Sequence, residues 1–140
     1  MRPGSTHAQV FSALGEPDDV SIERRGRLPR IHRYGDIEVH FREGVVFLVF
    51  IESFTAQGGA PSGGLRIAVD PWVIREGLLL PRFIEASASV GLGLAEGRTV
   101  VPGTTVLVAP GGVELGFIIS PETPSALPRL AWLSQMQGAA

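Results

Sequence analysis

The sequence predicts an α+β fold, an antiparallel sheet with helices packed on one face. Three observations predict it. A capped helical motif occupies residues 6–17, apolar and polar residues alternate up to a glycine turn near position 44 that an apolar return run follows, and alternation is seen again over 113–119. With 140 residues, 44% of them apolar, the chain is long enough to bury one ordinary core, so a single domain over 1–140 is expected.

Thr6-His7-Ala8-Gln9 fits a capping box, in which the Thr6 hydroxyl and the Gln9 side chain satisfy each other's backbone amides. Val10, Phe11 and Leu14 follow at helical spacing, and Gly15 and Pro17 stop the helix after about two and a half turns. Residues 18–30 form a polar connection, acidic at Asp18 and Asp19 and basic at Arg24, Arg25, Arg27 and Arg30. Ile37, Val39 and Phe41 alternate with Glu38, His40 and Arg42. Arg42-Glu43-Gly44 then turns the chain into a return strand over 45–51. Gly35-Asp36 reads either as a tight turn after a short strand at 31–34 or as a bulge in one longer strand.

From 55 to 65 the chain carries four glycines and a proline, the composition of a mobile loop, and it divides the protein into halves. Asp70-Pro71 has the form of an N-cap with proline at the first helical position, which predicts a short helix over 72–76 ended by Gly77. A second helix is expected over 81–90, closed by Gly91. Strands are expected at 99–101, 104–109 and 113–119, separated by Pro102-Gly103 and Pro110-Gly111-Gly112. The tail over 121–140 is broken by prolines, and Leu130, Trp132, Leu133 and Met136 are spaced for a short terminal helix. Half-units at 4–54 and 66–120 share an order of helix and strands that resembles a degenerate duplication.

Absences exclude several chemistries. Without cysteine there are no disulfides, thiol nucleophiles, thiolate zinc sites or iron–sulfur clusters. Without lysine there is no Schiff base, Walker-loop lysine or lysine general base. Missing asparagine excludes N-glycosylation. An arginine-only basic set with abundant Ala, Gly and Pro fits a bacterial, high-GC origin. The formal charge of −2 provides no field to attract nucleic acid. No apolar run approaches the roughly 20 residues that span a bilayer, and the first residues lack a signal-peptide core, so a cytoplasmic protein without membrane attachment is expected.

One surface calls for a partner. Pairing Phe41 with Val45 across the turn puts Ile37, Val39, Phe41, Val45, Phe47 and Val49 on a core face. The opposite face then carries Asp36, Glu38 and His40 beside Val46, Leu48 and Phe50. Leaving those three apolar side chains in water forfeits about 1.5–3 kcal/mol each, a large share of a typical stability of about 5–15 kcal/mol. The cover is either internal, from the Trp132 tail or residues 53–70, or external, from another protein or a second copy.

No catalytic motif is found. The three histidines, His7, His32 and His40, match no metal-ligand spacing. Glu38 and His40 share a sheet face and form a possible acid–base pair, against the simpler reading of a solvated polar stripe. The glycine-rich loop around Ser62 lacks both the Gly-Lys-Ser/Thr ending of a phosphate loop and the first glycine of a nucleophile elbow. Arg24, Arg25, Arg27, Arg30 and Arg33 are able to grip an acidic partner, yet no interleaved aromatics suit them to nucleic acid.

Gly4-Ser5-Thr6, Gln9-Val10 and Leu14-Gly15-Glu16-Pro17, followed by Tyr34 and a strand pair through Phe41 and Gly44, resemble the helix-and-sheet unit of SmpA/OmlA-type outer-membrane assembly lipoproteins and β-lactamase inhibitory proteins. Together with Asp70-Pro71-Trp72, the segment is also similar to uncharacterised bacterial proteins of the immunity type. The resemblance implies helices on one face of an antiparallel sheet and a second face that holds another protein. The lipidated cysteine of the lipoproteins and the disulfides of the inhibitory proteins are absent, so neither family's target is carried over.

The expected function is a non-enzymatic protein-binding module, an inhibitor or immunity protein, with Glu38, His40, Val46, Leu48 and Phe50 as the contact residues and no cofactor or metal. Two alternatives stay open. One is an enzyme or small-molecule carrier with Glu38, His40 and Tyr34 in a pocket between sheet and helices. The other is a structural homo-oligomer.

Overall fold

The computed structural model describes residues 1–21, 31–122 and 126–136. Its fold is mixed α+β, with an eight-stranded antiparallel sheet and two α-helices among the described residues. Helix α1 spans His7–Leu14 and opens on the expected capping box: the Thr6 amide donates to Gln9 Oε1 at 2.8 Å, and the Gln9 amide to Thr6 Oγ1 at 3.2 Å. Strands β1 (Asp19–Ser21), β2 (Ile31–Tyr34), β3 (Ile37–Arg42) and β4 (Val45–Ile51) follow. Gly35-Asp36 is a turn between β2 and β3. Helix α2 spans Leu80–Ser89, with Pro81 in its first turn where a missing amide costs nothing. It leads into β5 (Ala95–Glu96), β6 (Thr104–Ala109), β7 (Val113–Ile118) and β8 (Arg129–Met136).

Strand order across the sheet is β1-β2-β3-β4-β8-β7-β6-β5. Each run of four is a meander of sequence neighbours, and the two runs meet where β4 pairs with β8, Leu48 opposite Met136 through Ile51 opposite Leu133. Corresponding joints recur. Thr6, just before α1, bridges to Val45, and Leu79, just before α2, bridges to Arg129.

Two expected helices do not form. At 72–76 the chain makes turns: the Trp72 amide donates to Asp70 Oδ1 at 3.1 Å, and Trp72 takes a left-handed φ of 48°, which ends any helical path at its first residue. The tail is the strand β8. Leu130 and Leu133 both belong in the core although three residues apart, because the register shifts: Trp132 pairs with Gly116, Leu130 with Phe117, and Ala131 is the extra residue of a bulge. No strand forms at 99–101; the two-residue β5 at Ala95–Glu96 takes the edge beside β6.

Two apolar clusters build the interior. Val10 of α1 meets Tyr34, Ile37, Val39, Phe41 and Val46, and Phe83 of α2 meets Leu107, Leu115, Phe117 and Leu130. Residues 55–64 are tied down. Asp36, nearly buried, accepts from the Thr55 amide at 2.7 Å, the Thr55 hydroxyl at 2.9 Å and the Ser62 amide at 2.8 Å, and its own amide donates to the Ser62 carbonyl at 2.7 Å. Ile67 and Val69 beyond the loop pack on the first cluster, which places that segment on the Val10 side of the sheet.

Candidate functional site

The candidate site is the face of β3 and β4 turned away from Val10 and its cluster. A bulge sets its composition. His40 pairs with Leu48 but Phe41 pairs with Val46, so Phe47 is the unopposed residue. The simple alternation expected from the sequence is therefore broken between 46 and 48. Val46 is 0% exposed within the α1 cluster and does not belong to the open face, contrary to expectation. Phe47 takes a place there, with the Arg42 guanidinium carbon 4.4 Å above its ring centroid. Leu48 and Phe50 lie on this face as expected, both half-buried.

Glu38 and His40 stand on the same face, two residues apart on β3. Arg33 Nη2 donates to Glu38 Oε1 at 2.6 Å, and His40 Nε2 lies 2.9 Å from Glu38 Oε2. The side chains of Glu38 and His40 are only 14% and 19% exposed. Partial burial pushes the Glu38 carboxyl up, but the hydrogen bonds from His40 and Arg33, with the Arg33 and His40 charges, outweigh it and hold its pKa below the usual carboxylate value. The carboxylate is thus already paired with the Arg33 charge and within hydrogen-bond distance of His40, which lowers the cost of removing it from water.

Around that triad runs an aromatic strip. The His40 ring is edge-on to Phe47 at 6.1 Å and to Phe50 at 6.5 Å, and Phe50 lies 6.3 Å from the Trp132 indole. Trp132 was not among the expected contact residues because its segment reads as a helix. On β8 it shares the face of Phe50 and is part of the surface rather than its cover. Its indole lies over Gly116, where any Cβ would overlap the ring. Small-plus-aromatic pairing across two strands is the signal that reveals Trp132 once β8 is taken as a strand.

Tyr34 is not part of this site. It pairs with Ile37 on the core face, is fully buried, and donates its hydroxyl to the Gly15 carbonyl at 3.0 Å, fastening the end of α1 to β2. Burial raises its pKa, with Arg66 opposing and Asp18 adding to the shift. The pocket joining Glu38, His40 and Tyr34 therefore does not form. A cleft of about 460 Å³ lies between residues 73–79 and α2, and another of about 600 Å³ beside the amino terminus; none of the three residues lines either one. Arg24, Arg25, Arg27 and Arg30 lie outside the described residues. Among the described residues no helix is long and apolar enough to cross a membrane, and no group of three or more His, Asp or Glu is placed to hold a metal ion.

The chain matches no protein-family model, no curated protein and no solved structure.

Proposed function

We propose that the protein is a binding module whose β3–β4–β8 face docks on another protein, without catalytic chemistry of its own. The single observation that carries this reading is the strip of His40, Phe47, Phe50 and Trp132 set around a carboxylate whose charge is already paired. Aromatic side chains with few rotamers give large contact area at small entropic cost, and tryptophan and arginine dominate the energies of protein interfaces. Arg42 makes no ion pair among the described residues and stacks on Phe47. The partner accordingly presents apolar side chains to the strip and a carboxylate to Arg42.

In this reading α1 and α2 cover the common opposite face, a placement supported by Ile51 and Leu133 being cross-strand partners that pack against the Val10 and Phe83 clusters respectively. The matched joints at Val45 and Arg129, and the bulges on β4 and β8, support descent of the two halves from a duplicated helix-plus-four-strand unit. An inhibitor or immunity role, as in the families that residues 4–51 resemble, is the biological form we assign to such a module in a cytoplasmic, bacterial setting.

The test is affinity capture from lysate of the source organism with wild type, Leu48→Gln/Phe50→Gln and Arg42→Glu. The double variant should stay folded by circular dichroism and lose one stoichiometric protein, and Arg42→Glu should weaken the same capture. A partner retained by both variants would move the contact elsewhere on the molecule. A double variant that no longer folds would make this face interior, and a wild type that is dimeric by light scattering would make the partner a second copy.

A further inference from the structure

A histidine lies in the core beneath α1. His32, on β2, pairs with Val39 and is 2% exposed. Among the described residues neither of its ring nitrogens has a hydrogen-bond partner. Its ring centroid is 4.9 Å from that of His7, edge-on, and 4.8 Å from that of Phe41. An imidazole in this setting loses the hydrogen bonds of water and gains only apolar and aromatic contacts, which a neutral ring tolerates and an imidazolium does not.

We propose that His32 is an acid-sensitive latch: its protonation releases α1 and the amino-terminal arm from β2–β4 while the rest of the sheet stays paired. The inference stands apart from the partner-binding reading and needs no partner. The groups that face His32 explain why the positive charge is not compensated. From α1 comes His7, itself a base. From β3 come Val39 and Phe41, both uncharged, and from β1 comes Val20. Asp19 stands opposite Arg33, and Arg33 is bound to Glu38 on the other face of the sheet. Tyr34 has its hydroxyl on Gly15. None of these described residues offers His32 a carboxylate.

The arm is the element that gives way. Of the helix, only Val10 is buried, while His7, at its first position, packs on the His32 ring. Before the helix, the arm is held by a short run of backbone bonds: Gly4 N to Val46 O at 2.8 Å, Val46 N to Ser5 O at 2.9 Å and His7 N to Gly44 O at 2.9 Å. Lifting it lets water reach His32 and leaves the β2–β3–β4 ladders intact. Burial first, and the nearby His7 second, lower the His32 pKa from its ordinary value of 6.5. The closed form is thus fully favoured above 6.5 and loses ground as the pH falls from there through the lower native value. Over that window the ratio of open to closed molecules rises about tenfold per pH unit.

Hydrogen exchange of the full chain at about pH 7.5 and about pH 5, corrected for intrinsic rates, tests the latch. In wild type the amides of α1 and of Val46 should lose protection at the lower pH, by about tenfold for each pH unit crossed between 6.5 and the lower native value, while β6 and β7 amides keep theirs. In His32→Phe, which fills the same cage with an uncharged ring, the α1 protection should be independent of pH. Equal acid loss in His32→Phe, or undiminished α1 protection in wild type, would overturn the proposal. Should His32→Phe fail to fold, the histidine resonances of wild type decide: a His32 titration below its ordinary value that coincides with shifts in α1 supports the latch, and an ordinary titration with α1 unmoved refutes it.

Discussion

Val46 and Leu48 differ by one methylene and two positions, yet the bulge at Phe47 sends the first into the core and leaves the second on the open face. Replacing Val46 by threonine keeps the shape and buries a hydroxyl without a partner, so urea unfolding should show a loss of about 1–3 kcal/mol; Leu48→Gln should change stability by less than about 1 kcal/mol. A second residue-scale expectation concerns Gly116. Adding a methyl there pushes on a rigid indole, so Gly116→Ala should cost about 1–3 kcal/mol in the same measurement. Alternation along β3 and the turn after it make Glu38, His40, Leu48 and Phe50 legible in the sequence, whereas Val46, expected on the open face, is in the core, and Val45 and Phe47, expected on the core face, lie on the side of Arg42. A bulge is an inserted residue in a pairing, and nothing in the run Val-Val-Phe-Leu-Val-Phe-Ile, apolar at every position, marks where it falls.

Among the elements, the clearest signals were those whose chemistry has one reading. The Thr6–Gln9 box formed as read, and Thr6→Ala should lower the unfolding free energy by about 0.5–2 kcal/mol. Elements with two readings failed. Asp-Pro before an apolar residue serves an N-cap or a tight turn equally well, and at Asp70 the side chain closes a turn on Trp72. Leu130 and Leu133 stand at helical spacing and, across a bulge, also at the spacing of one strand face. The composition of the glycine-rich stretch after 55 predicts a mobile loop, but its restraint comes from Asp36, nineteen positions before Thr55, where spacing gives no hint. Asp36→Ala strands the Thr55 and Ser62 amides, and should cost about 3 kcal/mol and open residues 55–64 to limited proteolysis.

For the molecule as a whole, two groups pull the pH dependence of stability in the same direction. His32 has a lowered pKa from burial and His7, so its contribution is full above 6.5 and is lost as the pH falls through the lower native value. Glu38 also has a lowered pKa, held down by His40 and Arg33 against the effect of burial, and its contribution is full above 4.5 and is lost below that. Stability measured against pH should therefore fall in two steps on acidification. His32→Phe should flatten the upper step and Glu38→Gln the lower one; a single step unaffected by either change would contradict both assignments.

The seam between β4 and β8 bears on how the chain folds. Among the described residues every other strand pairing in the sheet joins strands that follow one another in sequence, so its loops close early and at small entropic expense. Ile51 and Leu133 must find each other from opposite halves of the polypeptide, after both meanders have begun to collapse. Folding rates should respond to substitutions within the hairpins, while truncation of Met136, which pairs across the seam with Leu48 and has no partner on β7, should mainly accelerate unfolding. The same arrangement leaves a half-made protein with a raw, unpaired β4 margin on the nascent chain until β8 is synthesised, an interval in which association with another copy's β4 competes with completion of the sheet.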